Sequence, residues 1–200
     1  MRPPTALAAA LALLCGCVPL GPRPDRTRYY ALEARAAAPP AGAIPVGAVG
    51  LGPVRLPAYL DRPELVTRGE GARVDVAGDE RWAAPLDGLF VAALAEDLRA
   101  AVPAREVVAW PWRAGAAPEW AVSVDVLRFE RAPDGTAVLE ARWALRRGTE
   151  VVERGVTRTR ERPRATGTAA SVEALSDCVG GLASEIAAAA ARRRASPMAR

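Results

Sequence analysis

Residues 120–145 read WAVSVDVLRFERAPDGTAVLEARWAL, and their patterning decides the fold. Trp120, Val122, Val124 and Val126 alternate with other residues, and so do Leu139, Ala141, Trp143 and Leu145. Between the two runs lies Pro133-Asp134-Gly135. A period of two places one set of side chains on one face of a strand, and a Pro-Asp-Gly cluster between two such runs is a turn signal. The stretch predicts a long antiparallel hairpin. A third strand over about 151–160 follows the Arg147-Gly148 turn. Beyond it the period changes. Val172, Leu175, Val179, Leu182 and Ile186 recur at three- and four-residue spacing, which predicts a helix over about 169–194 with one buried face. Gly180-Gly181 inside it costs about 1 kcal/mol per Gly relative to Ala, and marks a close crossing over the sheet or a kink.

On the N-terminal side, residues 85–102 carry a second helical stripe: Leu86, Leu89, Phe90, Ala93, Leu94, Leu98 and Val102. Asp87, Glu96 and Arg99 face away, Pro85 suits the first turn, and Pro103 is a stop. Residues 106–110 form a short strand. In 44–56, IPVGAVGLGPVRL, Val recurs among glycines, which predicts a central strand with close backbone approach or a bulge. The segment 57–63, PAYLDRP, interrupts it. Residues 64–68 and 73–77 then read as a hairpin around Gly69-Glu70-Gly71, and 28–33, RYYALE, as a β-like run. Strands flanked by two amphipathic helices predict an α+β fold. Its form is a two-layer sandwich, a mixed and mostly antiparallel sheet with both helices packed on one face. No internal repeat is visible.

Composition narrows the chemistry. The 200 residues are 50% hydrophobic and 25% charged with a net charge of +4, which suits one globular domain and excludes a disordered polar tail. The sequence contains no His, Lys, Asn or Gln, so all 27 basic residues are Arg. Imidazole catalysis, a Ser-His-Asp triad, a Schiff-base or P-loop lysine and any His-bearing metal site are thereby excluded. Carboxylates, a few hydroxyls and three Cys remain. No cofactor is implied. Glu96-Asp97 and Asp79-Glu80 are adjacent in sequence and so lie on different faces, which makes them poor acid–base pairs. The excess of Arg does not read as a nucleic-acid surface, because acids are interspersed in most segments and no aromatic RNA-binding stretch is present.

The N-terminus reads as an export signal. Arg2 is followed by the apolar run TALAAALALL over 5–14, too short to span a bilayer, which needs about 20 apolar residues. It ends in Leu14-Cys15-Gly16-Cys17, which resembles a bacterial lipobox with the small Gly16 just before the lipidated Cys17. Cys15 is the poorer acceptor because bulky Leu14 precedes it. The competing reading is an ordinary secretory signal that happens to contain Cys. Acyl chains on Cys17 would tether the protein firmly where a single chain binds only marginally. Val18 is not Asp, which in the lipoprotein-sorting pattern implies the outer membrane, with the domain facing the periplasm. The expected organisation is a signal peptide over 1–16, a lipid-anchored tether over 17–27, one domain over 28–194 and a tail over 195–200. Cys178 would be the remaining thiol. It falls in an apolar-periodic segment and reads as a small core residue rather than a redox site.

Several segments together resemble one family. They are Tyr29-Tyr30-Ala31-Leu32, Val49-Gly50-Leu51-Gly52-Pro53-Val54, Leu56-Pro57-Ala58-Tyr59-Leu60-Asp61-Arg62-Pro63 and Leu65-Val66-Thr67-Arg68. Trp82-Ala83-Ala84-Pro85-Leu86, Trp110-Pro111-Trp112, and Phe129 with Leu139-Glu140-Ala141-Arg142-Trp143 follow in order. The family is the PqiC/YmbA-type ABC transport auxiliary lipoproteins. Ala72 departs from its pattern, where a polar residue is expected. The resemblance implies a non-enzymatic, outer-membrane lipoprotein subunit of an intermembrane lipid transport system that supports membrane integrity. It would dock a periplasm-spanning mammalian-cell-entry (MCE) domain protein with its associated permease and ATPase. A homo-oligomer around a tubular partner is compatible with this, though no residue demands it. An alternative from another class is a lipoprotein that assembles an outer-membrane pore or activates a cell-wall synthase. A carboxylate-dependent hydrolase is the third reading.

Pro57, Tyr59, Leu60, Asp61, Arg62 and Pro63 form the candidate partner surface. Two prolines fix the chain, and Tyr and Arg dominate contact energies at interfaces. The competing reading makes this segment a crossover with Tyr59 and Leu60 packed into the core. Trp82, Pro85 and Leu86 read as a hydrophobic staple. Trp110, Trp112, Trp120 and Trp143 read mostly as core. The Arg158, Arg160, Arg162, Arg164 series has strand spacing, and either protects a sheet edge or faces anionic headgroups or an acidic partner.

Overall fold

A computed structural model describes residues 25–36, 46–112 and 118–195. Its strands are β1 (Arg28–Tyr30), β2 (Val46–Arg55), β3 (Glu64–Arg68), β4 (Val74–Trp82), β5 (Ala104–Ala109), β6 (Trp120–Arg131), β7 (Ala137–Arg147) and β8 (Glu150–Glu161). The helices are α1 (Leu86–Ala101) and α2 (Thr168–Ala195), and Ala58–Leu60 forms a single 3₁₀ turn. The predicted α+β class is what the chain adopts: one open, mixed sheet with two helices.

The hairpin read from 120–145 is the trunk of this sheet. β6 and β7 pair antiparallel from Trp120↔Arg147 to Arg131↔Ala137, and β7 pairs antiparallel with β8. On its other side β6 serves two strands in succession. β2 runs parallel to its first half, from Val49↔Trp120 to Arg55↔Asp125, while β3 meets it at Thr67↔Arg131. β5 extends the first branch, and β4 and β1 extend the second. The sheet therefore forks along β6. The two longest ladders are antiparallel, and the branches supply the parallel pairings.

One face of the sheet carries both helices. α1 packs on β2 and β5, α2 packs on β6, β7 and β8, and the helices touch each other. Phe90, Leu94 and Leu98 of α1 are wholly buried, as are Val179 and Leu182 of α2. Burial of each such large side chain contributes about 2 kcal/mol. The helical stripe begins where predicted, with Pro85 just ahead of it and its carbonyl accepting from Leu89 N–H at 3.1 Å. α2 is long and apolar enough to cross a bilayer, yet its apolar side is spent on the sheet.

Glycines mark the closest approaches. The Gly180-Gly181 pair leaves α2 unbroken and makes two crossings. A Cβ on Gly180 would stand 3.0 Å from the backbone of Arg35 and Ala36, and one on Gly181 would stand 2.9 Å from Thr159 of β8. In β2 the register shifts between Leu51 and Val54, as the Gly and Pro content suggested. Gly50 and Gly52 there lie against Trp112 and Trp110. This corrects the reading of the tryptophans. Trp82, Trp120 and Trp143 are core, but Trp110 is 53% exposed. Gly50 alternates with inward Val49 and Leu51, so these two indoles sit on the face away from the helices, where they meet edge to face with centroids 5.2 Å apart.

Candidate functional site

The predicted segment Pro57–Pro63 lies at the fork, where the chain leaves β2 at Arg55 and enters β3 at Glu64. Pro57 begins the 3₁₀ turn with φ −60°, and its carbonyl accepts from Leu60 N–H at 3.0 Å. The carbonyls of Ala58 and Leu60 close the turn by accepting from Asp61 and Arg62 N–H at 3.1 and 2.8 Å. Leu60 is 3% exposed and belongs to the core. Tyr59 is half-buried and donates its hydroxyl proton to Glu130 Oε2 at 2.8 Å.

Glu130 is the post on which this loop stands. A register shift between Val126 and Arg128 reverses the alternation of β6, so Phe129 turns inward against Phe90 and Glu130 turns to the opposite face. There Arg68 donates two hydrogen bonds to the carboxylate at 2.9 and 3.1 Å, and Arg128 donates at 3.0 and 3.2 Å. Arg68 also lies over the Tyr59 ring, 5.6 Å from its centroid. Burial pushes Glu130 up, but hydrogen bonds from Arg68, Tyr59 and Arg128 outweigh it and hold its carboxyl below the usual value. Burial, then the bond to Glu130, pushes the Tyr59 phenol up to about 12. The Arg68 guanidinium is likewise held on the charged side, chiefly by its bond to Glu130.

The six predicted residues thus divide. Leu60 and Tyr59 face the protein, as the crossover reading requires. Asp61, Arg62 and Pro63 are exposed and line a cleft of about 310 Å³ with Trp82, Ala84 and Pro85. The Pro63 carbonyl accepts from Trp82 N–H at 2.7 Å, which fixes the tip to the end of β4. Buried anchors thus hold a charged, proline-framed tip in a fixed position. Cys17, the expected lipidation site, lies outside the described residues.

Two buried acids escaped the sequence reading. Glu130 follows the slip in alternation at Phe129, and that slip was its signal. Asp97 sits four residues after Ala93 and seven after Phe90, on the buried stripe of α1, while Glu96 faces solvent. Asp97 Oδ1 accepts the backbone N–H groups of Arg35 and Ala36, the latter at 2.6 Å, while its Oδ2 has no partner among the described residues. Burial pushes its carboxyl up, and these two N–H groups offset that only in part. Cys178 is fully buried, and burial pushes its thiol up to about 11, as befits a core residue. Arg158 and Arg160 project from β8, which among the described residues pairs with β7 alone, and they meet Glu140 at 3.0 Å and Asp134 at 3.6 Å. They charge an exposed edge, which discourages pairing with another chain. Among the described residues no group of three acids or thiols could hold a metal ion.

Comparison with known families matches residues 30–187 to the ABC-type transport auxiliary lipoprotein component. The chain belongs to that family. The resemblance of the Tyr29–Trp143 segments to PqiC/YmbA-type proteins is therefore real, and the family is one of transport auxiliary lipoproteins rather than of enzymes. Protein XCC0632 from Xanthomonas campestris has the same fold, with a TM-score of 0.69 at 18% identity over 84% of this chain and 98% of that one. A second solved structure, of an uncharacterized protein, gives 0.65 at 18% identity over 82% and 98%. At such identity these two speak for the fold alone. No curated protein matches the chain.

Proposed function

We propose that this auxiliary lipoprotein is the outer-membrane subunit of an MCE-type intermembrane lipid transport system. In this reading residues 1–16 are its signal, acylated Cys17 anchors it, residues 17–27 are the tether and 28–194 are the periplasmic domain, followed by a tail over 195–200. Its task is to dock the periplasm-spanning MCE protein, and through it the permease and ATPase, and so to support membrane integrity. It does no chemistry. The observation that carries the docking role is the 57–63 loop. Its Tyr59 and Leu60 are fixed from below, which removes the ordering cost of binding, while Asp61, Arg62 and Pro63 are presented to a partner. Copies of the chain arranged around one partner belong to the same reading.

A photocrosslinking residue at Arg62 tests this. Irradiated in its native envelope, the protein is expected to join covalently to an MCE-domain protein, whereas the same residue at exposed Thr149, on the distant β7–β8 turn, should not. Equal yields at the two positions would sink the loop as the docking surface. The anchor is tested by Cys17→Ser, which should leave a folded domain that no longer fractionates with membranes. Acylation persisting on that variant would move the anchor to Cys15.

A further inference from the structure

The fork in the sheet leaves space inside the protein. β3 meets β6 only at Thr67↔Arg131, so the inward side chains of the two strands part behind that contact. A cavity of about 220 Å³ opens there on the helix side, walled by Leu60, Val66, Trp82, Phe129 and Leu175. An apolar cavity of about 150 Å³ is enough to take up benzene in another protein. The acids on its lining are already engaged: Arg73 holds Asp75 at 3.0 Å, and Glu80 accepts the Thr168 hydroxyl at 2.5 Å. Arg131 stands at the rim and forms no ion pair with any described residue.

Arg131 also borders a second, wider cleft of about 570 Å³, which shares Ser171 with the first and is flanked by Arg162. Asp134 lies in that cleft too, but its carboxylate accepts Thr136 N–H at 3.0 Å and lies 3.6 Å from Arg160. The two spaces share Arg131 and Ser171, so an interior walled by Leu60, Val66, Trp82, Phe129 and Leu175 borders a mouth that carries Arg131 and Arg162. We propose that together they bind an anionic phospholipid, with the end of one acyl chain between Val66, Phe129 and Leu175 and the phosphate on Arg131 and Arg162. In naming a membrane lipid as the source, this rests on the envelope role proposed above. The apolar-to-cationic order of the site sets the ligand's chemistry.

The test uses the full lipidated chain in bilayers doped with phosphatidylglycerol whose acyl chain carries a diazirine. After irradiation, label is expected on peptides containing Val66, Phe129 or Leu175. Phosphatidylcholine of the same chain carries the same phosphate, but its cationic choline is repelled by Arg131 and Arg162, so it should label them roughly tenfold less. Arg131→Glu should reduce the phosphatidylglycerol label similarly. Ala77→Trp, which fills the cavity from its wall, should abolish it while circular dichroism and crosslinking from Arg62 stay unchanged. Label confined to other surfaces, equal label from the two lipids, or stronger label from a free diazirine fatty acid would overturn the proposal. Loss of the Arg62 crosslink with this labelling intact would instead count against docking alone.

Discussion

Glu130 and Asp97 are both carboxylates closed off from water, at 1% and 0% exposure, and they differ in what meets them. Glu130 receives two arginines and a phenol, so its charge is favoured. Asp97 is buried and receives two backbone N–H groups, with no partner for its other oxygen among the described residues, so its charge is disfavoured. The first ties the 57–63 loop to the trunk of the sheet. The second ties residues 35 and 36, on the chain arriving from the expected anchor, to α1. The loop that presents Arg62 is thus built on a strong ionic post, while the lead-in segment hangs from a weaker hook.

Removing the post should hurt most. Glu130→Gln leaves two guanidinium groups without their counter-charge and is expected to cost about 3 kcal/mol in denaturant unfolding. The sign with pH follows from its lowered value: the contribution is present above the ordinary Glu value and lost as pH falls through the folded one. The gap between wild type and Glu130→Gln should therefore narrow in acid. A constant gap from pH 7 to pH 3 would show that packing, not charge, holds the loop. Tyr59→Phe deletes one hydrogen bond to a charged acceptor and should cost about 1.5 kcal/mol, measured the same way. An unchanged midpoint would mean the hydroxyl is idle.

Asp97→Asn should have the smallest effect, within about 1 kcal/mol at pH 7, since it keeps an oxygen for both N–H groups and removes a buried charge. Its pH dependence should run the opposite way. The folded value of Asp97 is raised, so its contribution is full below the ordinary Asp value and lost as pH rises through the folded one. Relative to wild type, Asp97→Asn should gain stability from acid to neutral pH. A loss over that range would erase the contrast with Glu130.

Much of this architecture was readable from local pattern. The 120–145 alternation gave the hairpin, and the stripes of Leu86–Leu98 and Val172–Ile186 gave both helices, because each buries one regular face. The fork was not readable, since strand order along β6 depends on contacts far apart in sequence. Nor were the partners of Glu130, which Tyr59 and Arg68 reach from 71 and 62 residues away. Trp110 misled because a large indole suggests core, whereas glycines in β2 let it lie on the outer face. Of the six loop residues, sequence named the segment but could not divide anchors from tip, which required knowing what lay beneath.

Docking of an MCE-type transport machine is the role proposed for this lipoprotein. The most direct measurement is a mild-detergent pull-down of the lipidated protein from its own envelope, with partners identified by mass spectrometry. Co-purification of an MCE-domain protein with its permease, weakened by Arg62→Glu in the loop tip, is the predicted result. Recovery of an outer-membrane pore or a cell-wall synthase, with no MCE-domain protein, would contradict it and make this chain an assembly or activation factor instead.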